Sequence, residues 1–180
     1  MLTTIQQTES LPADYPDAPD GLSTAAAALD SDMIWQRIET YIAHRWTSRD
    51  VTWVVEGCGE WHPPLTPATM DTVEVWSCGA SEWETAELDA SPLGGYYLPA
   101  SGPYRFSASV GGGVVPAAVD EAFRRLAEYF AAEPGAPGAA SEREEIPGVR
   151  THEVSRVASW MARAMQNSGA GDLLRPYRRA

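Results

Sequence analysis

The chain has 180 residues, 44% of them apolar, and a formal net charge of −12, with every basic side chain an Arg. That size holds one good core, or a core with an appendage, and no apolar run nears the ~20 residues that cross a bilayer. The acidic balance argues against a protein that wraps nucleic acid, and the start, MLTTIQQTESLPADYPDAPD, lacks the basic and apolar regions of a secretory signal.

Residues 1–22 read as an extended, solvated arm, with Pro12, Pro16 and Pro19 set among Asp14, Asp17 and Asp20. Ser23 to about Trp46 reads as helix, capped at Ser23 or Ser31, with a break near Asp30. Its apolar stripe is Leu29, Ile34, Ile38, Tyr41 and Ile42. The period then drops to two. DVTWVVEG, DTVEVWS, EWETAELD, GGYYLPA and PYRFSASV predict a small, mostly antiparallel β unit over 51–110. In the last of these, Tyr104, Phe106, Ala108 and Val110 face one way.

Gly111, Gly112 and Gly113 turn that strand into a helix that starts near Pro116. Val119, Ala122, Phe123, Leu126 and Phe130 form its apolar face, and Pro134 and Gly135 end it. The helix–β–helix core therefore spans 23–133, and a Pro/Gly/Ala-rich linker covers 134–150. A final helix is expected from about Glu153 to Asn167, with Gly169 as its αL cap. Arg156, Trp160 and Arg163 share one face of it, a residue mix typical of interfaces. Residues 151–180 make this helix plus a basic tail. From Arg150 onward six Arg meet only Glu153 and Asp172, so an acidic chain ends in a positively charged piece.

Chemistry-bearing motifs are sparse. His44 is expected at a helix C-terminus, where the protonated form is favoured. Cys58, His62 and Cys78 match no common zinc spacing, and the thiols read as small buried apolar groups. VGGGVVP lacks the Lys and Ser/Thr of a P-loop. No nucleophile, base and orienting group assemble, so no catalytic, cofactor or metal site is expected.

The order of elements, with IETYIAHRWTSRDVTWVVEG, GGYYLPASGPYRFSASVGGGVVPAAVDEAFRRLAEYF and ASWMARAMQNSGAGDLLRPYRRA, resembles the head–tail connector (adaptor) proteins of long-tailed phages and gene transfer agents. The likeness covers most of Ile34 to Ala180. It implies an α+β, mainly helical fold with three principal helices, a small antiparallel β insertion and an extended C-terminal tail. It also implies a structural, non-enzymatic role. Copies would form a ring, usually dodecameric, between the portal protein and a stopper or tail-completion protein, in the neck of a virion or gene transfer agent particle assembled in the host cytoplasm. DNA would pass through without sequence-specific binding, and no membrane or cofactor is involved. Carried onto this chain, Leu173, Leu174, Arg175, Tyr177, Arg178 and Arg179 become portal contacts, while Arg156, Trp160 and Arg163 are expected as subunit contacts from their residue types alone. Two other readings stay open. One is a stopper or tail-completion protein, which would be dominated by β structure. The other is a small soluble enzyme or ligand-binding domain with Cys58 and His62 lining a pocket.

Overall fold

A computed structural model describes residues 2–92, 94–132, 141–146, 150–155 and 163–178. The chain is divided between two units: one from residues 2–16 and 43–114, the other from residues 17–42 and the described part of 115–178.

The first unit is built from strands. They are β1 (Thr3–Glu9), β2 (Arg49–Glu56), β3 (Gly59–Trp61), β4 (Ala68–Ser77), β5 (Glu82–Thr85), β6 (Asp89–Ala90), β7 (Tyr96–Leu98) and β8 (Tyr104–Val110). A five-stranded antiparallel sheet runs β1-β2-β8-β4-β5, and a three-stranded one runs β3-β7-β6. Period-two alternation puts Val51, Trp53 and Val55 of β2 on the same buried face as Tyr104, Phe106, Ala108 and Val110 of β8. Trp61 of β3 stacks on Phe106 at 4.1 Å between ring centroids and meets Trp53 edge-on at 5.6 Å.

A buried indole N–H needs an acceptor, and β1 supplies both that this core requires. Trp53 Nε1 donates to Gln7 Oε1 at 2.9 Å, and Trp61 Nε1 donates to Thr4 Oγ1 at 3.1 Å. Glu9, at the end of β1, takes Arg45 at 2.6 Å and Arg49 at 3.2 Å. Residues 3–9 of the expected solvated arm are thus a sheet strand that completes the core with polar groups. At the far end of β8, Gly111 has φ 104°, and a Cβ there would run into the Thr47 carbonyl, so the strand-to-helix turn requires glycine at this position.

The second unit holds α1 (Thr24–Ala27), α2 (Ser31–Tyr41), α3 (Ala117–Ala131), β9 (Ser141–Ile146), β10 (Arg150–Ser155), α4 (Ala164–Asn167), α5 (Ala170–Leu173) and a 3-10 turn (Arg175–Tyr177). The expected first helix is broken at Asp30, whose carboxylate caps α2 through the Asp32 N–H at 3.0 Å, and it stops at Tyr41. Ser23 caps α1. Ile34, Ile38 and Ile42 are buried as the stripe requires, but the largest side chain there is Trp35, fully buried with its ring 5.0 Å from that of Phe123 on α3. On α3, Val119, Ala122, Phe123 and Leu126 are buried, while Phe130 is half-buried beneath the Arg37 guanidinium, 5.3 Å from its ring centre.

The mainly helical fold with three principal helices is corrected by these elements: the chain is mainly β, and among the described residues there are five helices, of which only α2 and α3 exceed a single turn. The expected closing helix from Glu153 is a strand at its start. β10 pairs antiparallel with β9 in the register Arg150↔Ile146 to Ser155↔Ser141. Helix resumes only at Ala164. Thr151 and Val154 are β-branched and favour this pairing, whereas the stripe read from Val154 and Val157 fits a helix only if the strand partner is ignored.

Candidate functional site

The basic C-terminal end is described from residue 163 to Arg178, and that part lies in the second unit. Gly169, at φ 75°, turns the chain from α4 into α5. Gly171 then passes so close that a Cβ would lie 3.1 Å from both the Met165 carbonyl and the Tyr41 hydroxyl. α5 packs on α3, and Leu174, just past its end, is fully buried. Burying one such leucine contributes roughly 1.5–3 kcal/mol. Asn167 donates from Nδ2 to the Tyr129 hydroxyl at 2.9 Å. Arg178 lies over the Tyr41 ring, 4.6 Å from its centre, with Nη1 3.4 Å from Oη.

This placement sorts the expected contact residues. Leu174 is fully buried within its own unit, where it acts as an internal anchor. Leu173 and Tyr177 are half-buried, and Arg175 and Arg178 are exposed. Among the described residues no carboxylate pairs with Arg175 or Arg178. Arg163 is exposed just before α4. Arg156, Trp160 and Arg179 lie outside the described residues. The expected loose tail is instead held down through residue 178 by Leu174 and by the clasp of Arg178 on Tyr41.

Beside that clasp lies a feature not anticipated from sequence, a groove of about 540 Å³. α2 lines it with Met33, Gln36, Arg37, Thr40 and Tyr41, and α4 with Met165 and Gln166. Its signal was legible on α2, where Met33, Gln36, Arg37 and Thr40 recur at helical spacing away from the Ile34/Ile38 stripe. Met33 is 40% exposed, and a flexible thioether on an open face suits contact with another surface. Tyr41 belongs both to the groove wall and to the Arg178 clasp, so the basic end and the groove form one continuous site.

Acidic groups in the same unit are fixed. Glu121 is held below the usual carboxylate range by hydrogen bonds from Arg125 and Arg124. Glu128 is lowered likewise by the Ser23 backbone N–H at 2.7 Å and hydroxyl at 2.8 Å.

In the first unit, Cys58 and Cys78 are free and exposed, which corrects their reading as small buried apolar groups. Among the described residues no three His, Cys, Asp or Glu side chains converge as metal ligands. His44 is also corrected. The helix stops before it, so it gains nothing from a helix C-terminus. Burial and the neighbouring Arg45 push its pKa down, keeping it neutral. On the outer face of the five-stranded sheet, Arg105 stacks on Trp83 at 4.6 Å and pairs with Glu74 at 2.6 Å, while Trp76 and Trp83 meet edge-on at 5.4 Å. That cluster satisfies its own charges and reads as a cross-strand staple.

No protein family is matched by the sequence, and no curated protein is similar to it at a significant level.

Proposed function

We propose that the chain is a non-enzymatic structural subunit: a head–tail adaptor whose copies form a ring, dodecameric by resemblance, joining the portal at a capsid vertex to the stopper or tail of a phage or gene transfer agent particle. One observation carries the reading. A chain of net charge −12 anchors its C-terminal end on Leu174 and holds Arg175, Tyr177 and Arg178 at the surface beside an open groove.

Anchoring favours docking, because fixing a free segment costs about 1–2 kcal/mol per residue, and residues already held by their own unit have met that cost before a partner arrives. The exposed guanidiniums would make forked bonds to carboxylates or backbone carbonyls on the portal. Repetition around a ring would multiply weak single contacts through effective concentration. Arg179 extends the same basic end, and Arg156, Trp160 and Arg163 remain the proposed contacts between subunits. The acidic remainder suits a channel wall that repels phosphate, letting DNA pass without sequence-specific binding. The proposed location is the particle neck, reached from the host cytoplasm during assembly, with no membrane or cofactor involved.

Removing Arg175–Ala180 while keeping Leu174 tests the reading. Rings should still form, portal binding should fall at least tenfold, and tailless heads should accumulate in electron micrographs. Normal joining of heads to tails would overturn it. The strand-rich fold favours a second reading, a stopper or tail-completion protein. Binding of the purified chain to the adaptor ring, and not to the portal, would select that one.

A further inference from the structure

The five-stranded sheet has two outer strands, and they are guarded differently. β5 has four residues, two of them Glu82 and Glu84, and a short charged edge resists pairing with other chains. β1 has seven residues, no Pro, and a single charge, Glu9, already engaged by Arg45 and Arg49. Among the described residues β1 pairs with β2 alone. Five of its residues are exposed, including Ile5 at 57%. With its one charge engaged and no proline, β1 is guarded only by the irregularity at Ile5, and the rest of its outer backbone is a template for an added strand.

The second unit carries an element with the opposite deficiency. β9 and β10 form a two-stranded sheet whose strands pair only with each other, and among the described residues no other element packs extensively on either. An isolated two-stranded hairpin is marginal in water and gains independent stability from a third strand. β9, SEREEI, is strongly acidic. β10, RTHEVS, balances Arg150 against Glu153, carries β-branched Thr151 and Val154, and at six residues nearly matches the length of β1.

Nine residues separate the end of α3 from β9. At ~3.3–3.6 Å per residue that stretch can span at most roughly 30 Å.

We propose that β10 of one copy adds to the open edge of β1 on the next copy. Donor and acceptor are different surfaces, so the joint is head-to-tail and repeats until the rotation closes a ring. The backbone supplies the bonds, and the neutral edge of β1 accepts β10 without like-charge repulsion. This inference rests on the ring reading, since it needs a second copy at hand.

Two variants and their mixture test it. Thr151→Pro blocks the donor strand. Ile5→Pro blocks the acceptor at the residue where the β1–β2 register shifts, which has no partner on β2 and where proline is tolerated. The native chain, with purified portal if assembly requires it, should show amide exchange over residues 3–9 slowed at least tenfold on assembly. Thr151→Pro should remove that protection while keeping the thermal unfolding of the native monomer. Each variant alone should stay monomeric, and an equimolar mixture should give capped heterodimers, because only one productive joint exists per pair. Protection that is independent of concentration and lost in Thr151→Pro would place β10 on its own chain and overturn the proposal. Rings of Thr151→Pro with unaltered exchange over residues 3–9 would overturn it and leave the ring reading standing. Failure of the native chain to assemble at any concentration, with or without portal, would overturn both.

Discussion

Each unit is sealed by a chain terminus, and the two seals use opposite chemistry. In the strand unit, β1 contributes almost no apolar surface. It brings Thr4 and Gln7 to two buried indoles and Glu9 to two nearly buried guanidiniums. In the helical unit, the C-terminal segment brings Leu174, an apolar side chain fully buried just past α5, the helix that packs on α3. A polar seal is directional and fails by leaving partners stranded. An apolar seal is non-directional and fails by leaving a hole.

The sharpest way to break this contrast is Leu174→Ala. Deleting a fully buried leucine costs about 2–5 kcal/mol, so urea unfolding followed by helical circular dichroism should shift to markedly lower midpoint. Protection of the β2 and β8 amides in hydrogen exchange should persist, because that core does not contain Leu174. Loss of both together would mean the units do not unfold separately.

Glu9→Gln probes the other seal. Arg45 and Arg49 have side chains 8% and 3% exposed, while Glu9 is 20% exposed. Stranding one partner of a buried pair costs ~3–5 kcal/mol, and the access of Glu9 to water brings the expected loss to about 2–3 kcal/mol. The fluorescence of Trp53 and Trp61 should report it as a lower unfolding midpoint. An unchanged midpoint would mean that β1 is held by backbone pairing alone.

The smallest effect is expected at Glu128. Its folded pKa is depressed by the Ser23 N–H and hydroxyl, so its contribution is complete above the unfolded carboxylate value and is lost as pH falls through the lower folded one. Glu128→Gln should flatten this part of the acid-side fall in stability. Unfolding midpoints from pH 7 down to pH 3 would reveal it, and parallel curves for native and variant would refute the assignment.

How far the sequence could be read follows the same division. β2, β4 and β8 alternate apolar and polar residues, and α3 repeats its apolar residues at helical spacing, so these elements were legible. β1 was not, because TTIQQTE has one aliphatic residue and its value lies in acceptors whose donors sit some fifty residues away. β10 was misread because its six residues carry only one large apolar side chain, Val154, which also fits a helical stripe. The burial of Leu174 was not legible, because a charged C-terminal sequence gives no sign that an anchor precedes its last arginines. The groove was visible only as the face of α2 left over once the core stripe was assigned.

The position of Leu174 also sets an order of events during synthesis. The strand unit draws on nothing described beyond residue 114, so it can be finished while the ribosome is still extending the chain. The helical unit, by contrast, draws on residues up to Leu174, so its core closes only after the strand core can already have formed.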